Sequence, residues 1–229
     1  MTLIAQNLAH IQDRIRGACE RSGRDSQQVR LIAVSKKKPL TDIETAAAAG
    51  QTRFGESYVQ ELVEKIGAAA QPLEWHFIGG LQSNKVKYLR GLPTLIHSVD
   101  RLSLAREISR QWQKIDQRAN ILLQFNLGGE SSKSGAAAAD ALKLAQQVSQ
   151  LPNLIVCGLM TLPPYFDDPE KVRPYFRQLR ELADQLRGQN LANVQLTELS
   201  MGMSQDFEVA IEEGATLVRV GSAIFGARD

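Results

Sequence analysis

The chain has 229 residues, 43% hydrophobic and 23% charged, enough for one sizeable core and within the range of single-domain α/β barrels. A formal net charge of +2 argues against a phosphate-backbone partner and so against nucleic acid, although a sequence pI near 8.6 leaves weak attraction for small anions. Cys19 and Cys157 are too few for a disulfide framework and form no CxxC pair, and the first ten residues have polar breaks where a signal peptide or membrane span needs apolar continuity. A soluble cytoplasmic protein is expected.

In chain order, Leu3, Ile4, Leu8, Ile11, Ile15 and Ala18 recur at spacings of three and four, which predicts an amphipathic helix ending near Gly23. Residues 31–36 follow as an apolar run that ends in Lys36, with Lys37, Lys38 and Pro39 behind it. The run suits a strand covered on both faces, and alternation would put Lys36 on the face of Val34 and Ile32 with Lys37 opposite. A lysine at the mouth of an apolar pocket can form a Schiff base with a carbonyl compound; three solvated loop lysines are the plainer alternative. Thr41 to Glu44 has the form of a capping box, and the helix it would open ends at Gly50.

The unit then repeats. A strand is expected over 52–56, a second capping box at Ser57 to Gln60 with a helix to about Ala70, a strand over 74–79 and a helix over 83–90 before Gly91. The second half adds strands at 94–99, 121–126, 154–160, 195–199 and 216–220, with helices at 101–114, 136–150 and 169–187. Strands alternating with helices over short links imply a parallel sheet with right-handed crossovers, and about eight units is the number that closes a (β/α)8 barrel. A single TIM-type barrel with an extra N-terminal helix is the expected fold, with an open doubly wound sheet as the alternative.

In a barrel, chemistry gathers at the C-terminal ends of the strands. Those ends carry Lys36, Glu56 with Ser57, Ile78 with Gly79, Asn126, Met160, Ser200-Met201-Gly202 and Arg219-Val220-Gly221-Ser222. The set holds one amine, one guanidinium, apolar walls and two small-residue turns. Both turns follow the last two strands, where barrels commonly hold phosphate, though glycine punctuation alone would also explain each. His76 and His97 fall inside predicted strands and read as satisfied structural histidines, and no metal site is expected. Residues 128–135 read as a flexible polar loop that could serve as a lid, and Met160, Met201 and Met203 as pocket wall or core.

Val34-Ser35-Lys36, Phe54-Gly55-Glu56, His76-Phe77-Ile78-Gly79 with Leu81-Gln82-Ser83-Asn84-Lys85, Gly158-Leu159-Met160-Thr161, Leu199 through Ser204 and Val218-Arg219-Val220-Gly221 together resemble the pyridoxal phosphate homeostasis protein family, in order and over almost the whole chain. The resemblance implies a fold like the barrel domain of bacterial alanine racemases, binding of pyridoxal 5′-phosphate and no established reaction. It implies further that Lys36 forms the Schiff base with the cofactor, that Arg219 faces the pyridine nitrogen and that Ser200, Gly202, Gly221 and Ser222 cradle the phosphate. Ser57, Ile78, Met160 and Met201 complete the expected cofactor site. Ser57 stands where the family usually has asparagine and Gly80 where it often has proline.

Three functions remain at this point: a cofactor carrier able to supply apo-enzymes that use pyridoxal phosphate, a racemase-like enzyme, and a Schiff-base aldolase with a phosphorylated substrate. The carrier is preferred. Racemisation needs an acid–base group on each face of the bound amino acid, and Lys36 is expected to serve only one; no β-rich second domain is expected after the last barrel unit, which would leave Tyr58 and Tyr165 to substitute from loops. A monomer is expected.

Overall fold

The structure, a computed structural model, describes residues 1–130 and 133–226. Eight parallel strands close into a barrel in sequential order, β1 (Arg30–Val34), β2 (Arg53–Glu56), β3 (Glu74–Phe77), β4 (Thr94–Val99), β5 (Ala119–Phe125), β6 (Leu154–Thr161), β7 (Val194–Ser200) and β8 (Leu217–Val220). Closure is made by β1 on β8, with Leu31 opposite Val218 and Ala33 opposite Val220. This is the expected closed barrel rather than an open sheet. Among the described residues no helix is long and apolar enough to cross a membrane.

The helices are α1 (Leu3–Arg21), α2 (Leu40–Ala48), α3 (Val59–Ala68), α4 (Leu102–Gln113), α5 (Ala141–Ser149), α6 (Arg173–Arg187), α7 (Phe207–Glu212) and α8 (Ser222–Phe225). The last two are too short to cover their side of the barrel, and α1 packs there, against α7, α8 and α2. Its buried face is Leu8, Ile11, Ile15, Ala18 and Cys19, the stripe its spacing predicts. Asn7 donates to the Ile224 carbonyl at 2.9 Å, and Arg14 and Arg21 pair with Glu208 at 2.7 Å each, so the N-terminal helix is tied to the last two units.

Several local expectations are corrected. Neither capping box forms: α2 begins after Pro39 and α3 after Tyr58, and neither N-cap side chain makes a capping bond. Thr41 lies inside α2, and its carbonyl accepts from the Thr45 hydroxyl at 2.7 Å. Pro39 starts α2 early because its fixed φ, here −66°, needs no amide partner. Residues 83–88 form a 3-10 helix, since the buried Val86 and Leu89 are spaced by three, the repeat of that helix. The helices expected over 136–150 and 169–187 each open with a 3-10 turn, at Ala138–Asp140 and Pro169–Val172.

The core has two parts. Most apolar side chains lie between sheet and helices, among them Phe54, Trp75, Phe77, Ile121 and Val218. Ile32, Leu122, Met160 and Leu217 form a smaller cluster inside the barrel. The interior is tightly filled: a Cβ on Gly55 would lie 2.9 Å from Ile32, and one on Gly158 would lie 1.9 Å from the Glu198 carbonyl oxygen. That second approach coincides with a register shift between β6 and β7, where Leu196 has φ 52°.

Candidate functional site

The C-terminal ends of the strands open into a cleft of about 510 Å3, lined by Val34, Lys36, Ser57, Ile78, Arg219, Gly221 and Ser222 with Met203, Ser204 and the loop from Leu162 to Phe166. A second lobe of about 530 Å3 adjoins it, sharing Lys36, Ser57, Ile78 and Leu162 and extending to Tyr58, Gln82 and Lys85. Lys36 stands where the lobes meet.

Lys36 lies in a turn just past β1, not on the strand, so side-chain alternation does not decide its direction. The turn closes through the Lys38 amide to the Ser35 carbonyl at 3.0 Å, and Lys37 takes a left-handed φ of 61°. A buried ionic cluster holds this conformation. Lys65 Nζ donates to the Ser35 carbonyl at 2.9 Å, to Glu56 Oε1 at 2.8 Å and to Glu61 Oε1 at 2.7 Å. Ser35 Oγ donates to Glu56 Oε1 at 2.6 Å, and the Lys37 amide donates to Glu61 Oε1 at 2.6 Å. Burial pushes the Glu56 carboxyl above its usual range, while Lys65 and Ser35 pull it back. The turn therefore exposes Lys37 and leaves Lys36 half-buried on the cleft.

Arg219 forms the floor and is only 3% exposed. Its guanidinium donates to Ser200 Oγ and, at 2.9 Å, to the Thr161 carbonyl, while its amide donates to the Gly202 carbonyl at 3.0 Å. Burial lowers its pKa to about 10, against the pull of the Asp206 charge, so it stays cationic at neutral pH. Glu208, on α7, pairs with Arg14 and Arg21. Asp206 acts on Arg219 through space and spends a carboxylate oxygen on the Met203 amide at 2.6 Å.

Along the same cleft, Ser204 Oγ lies 3.4 Å from both the Gly221 amide and Ser222 Oγ, which brings donors from the β7 and β8 loops together. Gly221 fits closely: an added Cβ would sit 3.2 Å from the Val34 carbonyl oxygen.

Of the expected site residues, Lys36, Ser57, Ile78, Arg219, Gly221 and Ser222 line the cleft. Ser200, Met160 and Met201 are buried beneath it. The Ser200 hydroxyl is taken up by Arg219 and by His97 Nδ1 at 2.9 Å, and Met160 belongs to the interior apolar cluster. Gly202, with φ 89°, contacts the site through its carbonyl bond to Arg219. Residues 131 and 132 of the expected lid lie outside the described residues; Lys133, within that loop, lines the cleft and donates to the Pro163 carbonyl at 2.8 Å. Gln205, Asp206 and the Leu162–Phe166 wall apart from Tyr165 were not expected on the site. The position of 162–166 directly after a strand, with Pro163-Pro164 to stiffen it, was the available signal.

Residues 6–229 match the alanine racemase N-terminal domain family. The pyridoxal phosphate homeostasis protein of Aquifex aeolicus is 49% identical over 97% of this chain and 97% of its own. PipY of Synechococcus elongatus, whose structure was solved with pyridoxal phosphate bound, superposes with a TM-score of 0.85 at 37% identity, covering 97% of this chain and all of the other. Alanine racemase of Corynebacterium glutamicum shares the fold at 15% identity, with a TM-score of 0.72 over 99% of this chain and 61% of that one. With near-full-length identity at this level, the chain belongs to the pyridoxal phosphate homeostasis protein family.

Proposed function

We propose that the chain binds pyridoxal 5′-phosphate in this cleft, holds it covalently through Lys36 and passes it on with little or no turnover. The observation that carries the reading is the donor set: an amine on the wall of a cleft of ligand size, a buried guanidinium at its floor and converging hydroxyl and amide groups on the same cleft. That set fits a small ring bearing an aldehyde at one position and a phosphate at another. When bound, the cofactor supplies an aldehyde that condenses with an amine, releasing water, and a ring able to accept electrons.

Each protein group has a distinct task. Lys36 presents its amine from a turn braced by Lys65 and Glu61, so its position is set before the ligand arrives. Ser204, Gly221 and Ser222 offer donors that suit a phosphate dianion, since charge-assisted hydrogen bonds are the strong kind. Arg219 can only donate and carries a fixed positive charge, so it disfavours a proton on a ring nitrogen beside it and weakens the ring as an electron acceptor. This favours holding over turnover. Recipients would be apo-enzymes that use the same cofactor.

Absorbance of the purified protein and α-proton exchange of free amino acids in deuterated water test the reading together. A cofactor band with transfer to an apo-enzyme and no exchange is expected. Exchange at enzyme-like rates that vanishes in Lys36→Ala would replace the carrier by a racemase-like enzyme, and a colourless protein that takes up no added cofactor would end the reading altogether.

A further inference from the structure

His76 and His97, expected to be satisfied structural histidines, are linked. His76 Nδ1 lies 2.9 Å from His97 Nε2, with the rings edge to face at a centroid distance of 5.1 Å, and His97 Nδ1 lies 2.9 Å from Ser200 Oγ. Ser200 Oγ in turn accepts from Arg219. All four side chains are buried. At the far end His76 Nε2, buried and without a hydrogen-bond partner among the described residues, faces Glu74 Oε1 at a loose 3.4 Å. The chain thus runs from the cleft floor to the N-terminal end of β3, on the opposite face of the barrel.

Its direction follows from its ends. Arginine has donors only, so Ser200 Oγ must accept from it, and the Ser200 proton, buried, needs an acceptor of its own. His97 Nδ1 is the neighbour in place to take it. A neutral His97 with an accepting Nδ1 carries its proton on Nε2 and donates to His76 Nδ1, which puts the His76 proton on Nε2, facing the Glu74 carboxylate. A donor-only cation and an acceptor-only anion therefore fix one consistent set of tautomers, and every link polarises the next in the same sense. Full burial and the Arg219 charge keep His97 neutral, holding its pKa well below the usual histidine value.

We infer that His97 and His76 are positioning residues for Arg219, acting through Ser200 as a hydrogen-bond chain with a single direction across the barrel. The chain fixes the Ser200 lone pair that orients the guanidinium and offsets its charge where, among the described residues, no carboxylate hydrogen-bonds to it. Its cofactor end rests on the function proposed above; its histidine end does not.

The test has two arms. Nitrogen NMR of the cofactor-free protein labelled on its three histidines, assigned with His10→Gln, reads the tautomers directly at neutral pH. Both His76 and His97 should be neutral with the proton on Nε2. A proton on His97 Nδ1, or an imidazolium, would overturn the chain whatever the cofactor does. In the second arm, Ser200→Ala and His97→Leu should each weaken retention of pyridoxal 5′-phosphate by about tenfold, the double variant should be no weaker than either, and His97→Gln, which can both accept and donate, should recover most of the loss. Additive losses, or no loss, would refute the positioning role. An unsubstituted protein that binds no cofactor while showing the expected tautomers would instead refute the proposed function and leave the chain standing.

Discussion

Lys65→Met removes an ammonium while keeping the length of the apolar stem, and isolates what the buried cluster behind Lys36 contributes. Three hydrogen bonds go, to the Ser35 carbonyl, Glu56 and Glu61. Glu56, fully buried, keeps only the Ser35 hydroxyl on Oε1, and its Oε2 already lacks a partner among the described residues. Leaving one partner of a buried pair uncompensated costs about 3–5 kcal/mol. For a chain of this size that is a fall in Tm of roughly 10 °C. The pH dependence has a definite sign. Glu56 already has a raised folded pKa, chiefly through burial, and losing Lys65 raises it further. A raised carboxyl contributes its stability below the unfolded value, about 4.3, and loses it as pH rises through the folded value, so the deficit of Lys65→Met should grow between about pH 5 and about pH 8. Urea denaturation at those two conditions measures it. Adding Glu56→Gln should return most of the loss, because the orphaned charge is then gone. If Lys65→Met cost under about 1 kcal/mol at about pH 8, if its deficit did not grow with pH, or if the double variant were as unstable as the single one, the uncompensated-charge account would be wrong.

The remaining predictions concern the cleft. Lys36→Ala should lose the borohydride-reducible lysine adduct with added pyridoxal 5′-phosphate while Lys37→Ala and Lys38→Ala keep it; an adduct persisting in Lys36→Ala would displace the assignment. Pyridoxal lacking the phosphate should compete poorly, and Ser222→Ala should narrow the difference between the two vitamers; equal retention by the unsubstituted protein would remove the phosphate cradle. Gly202→Ala puts a Cβ 2.6 Å from that of Ala210 on a backbone with φ 89°, so a loss of about 2–4 kcal/mol is expected in thermal or urea melts, and a neutral result would contradict the tight fit.

The barrel was legible because its units are local. A 3.6-residue stripe on α1 and apolar runs at β1, β5 and β6, punctuated by Gly23, Gly50 and Gly91 in left-handed turns, are properties of short stretches. Counting such units and applying the rule that barrel chemistry lies at strand ends was enough to bring Lys36, Ser57, Ile78, Arg219, Gly221 and Ser222 to one cleft. The capping boxes failed for a local reason, since a motif of the right letters competes with Pro39 and with the strand end at Glu56 for where the helix starts.

What no stretch of sequence could decide is which polar groups meet. Ser200 read as a loop donor at the end of a strand, yet its hydroxyl is committed to His97, 103 positions earlier, and to Arg219, 19 later. Lys65 is in sequence one charge among several on α3, yet it sits beneath the Lys36 turn against Glu56 and the Ser35 carbonyl. The first outcome depends on barrel closure: only when β1 pairs with β8 do the interior faces enclose a volume without water, and a polar group sealed there must find its partner across the barrel; the second depends on α3 packing over the ends of β1 and β2. The letters of the chain determine that such groups exist, and the packing of strands and helices determines whom they face.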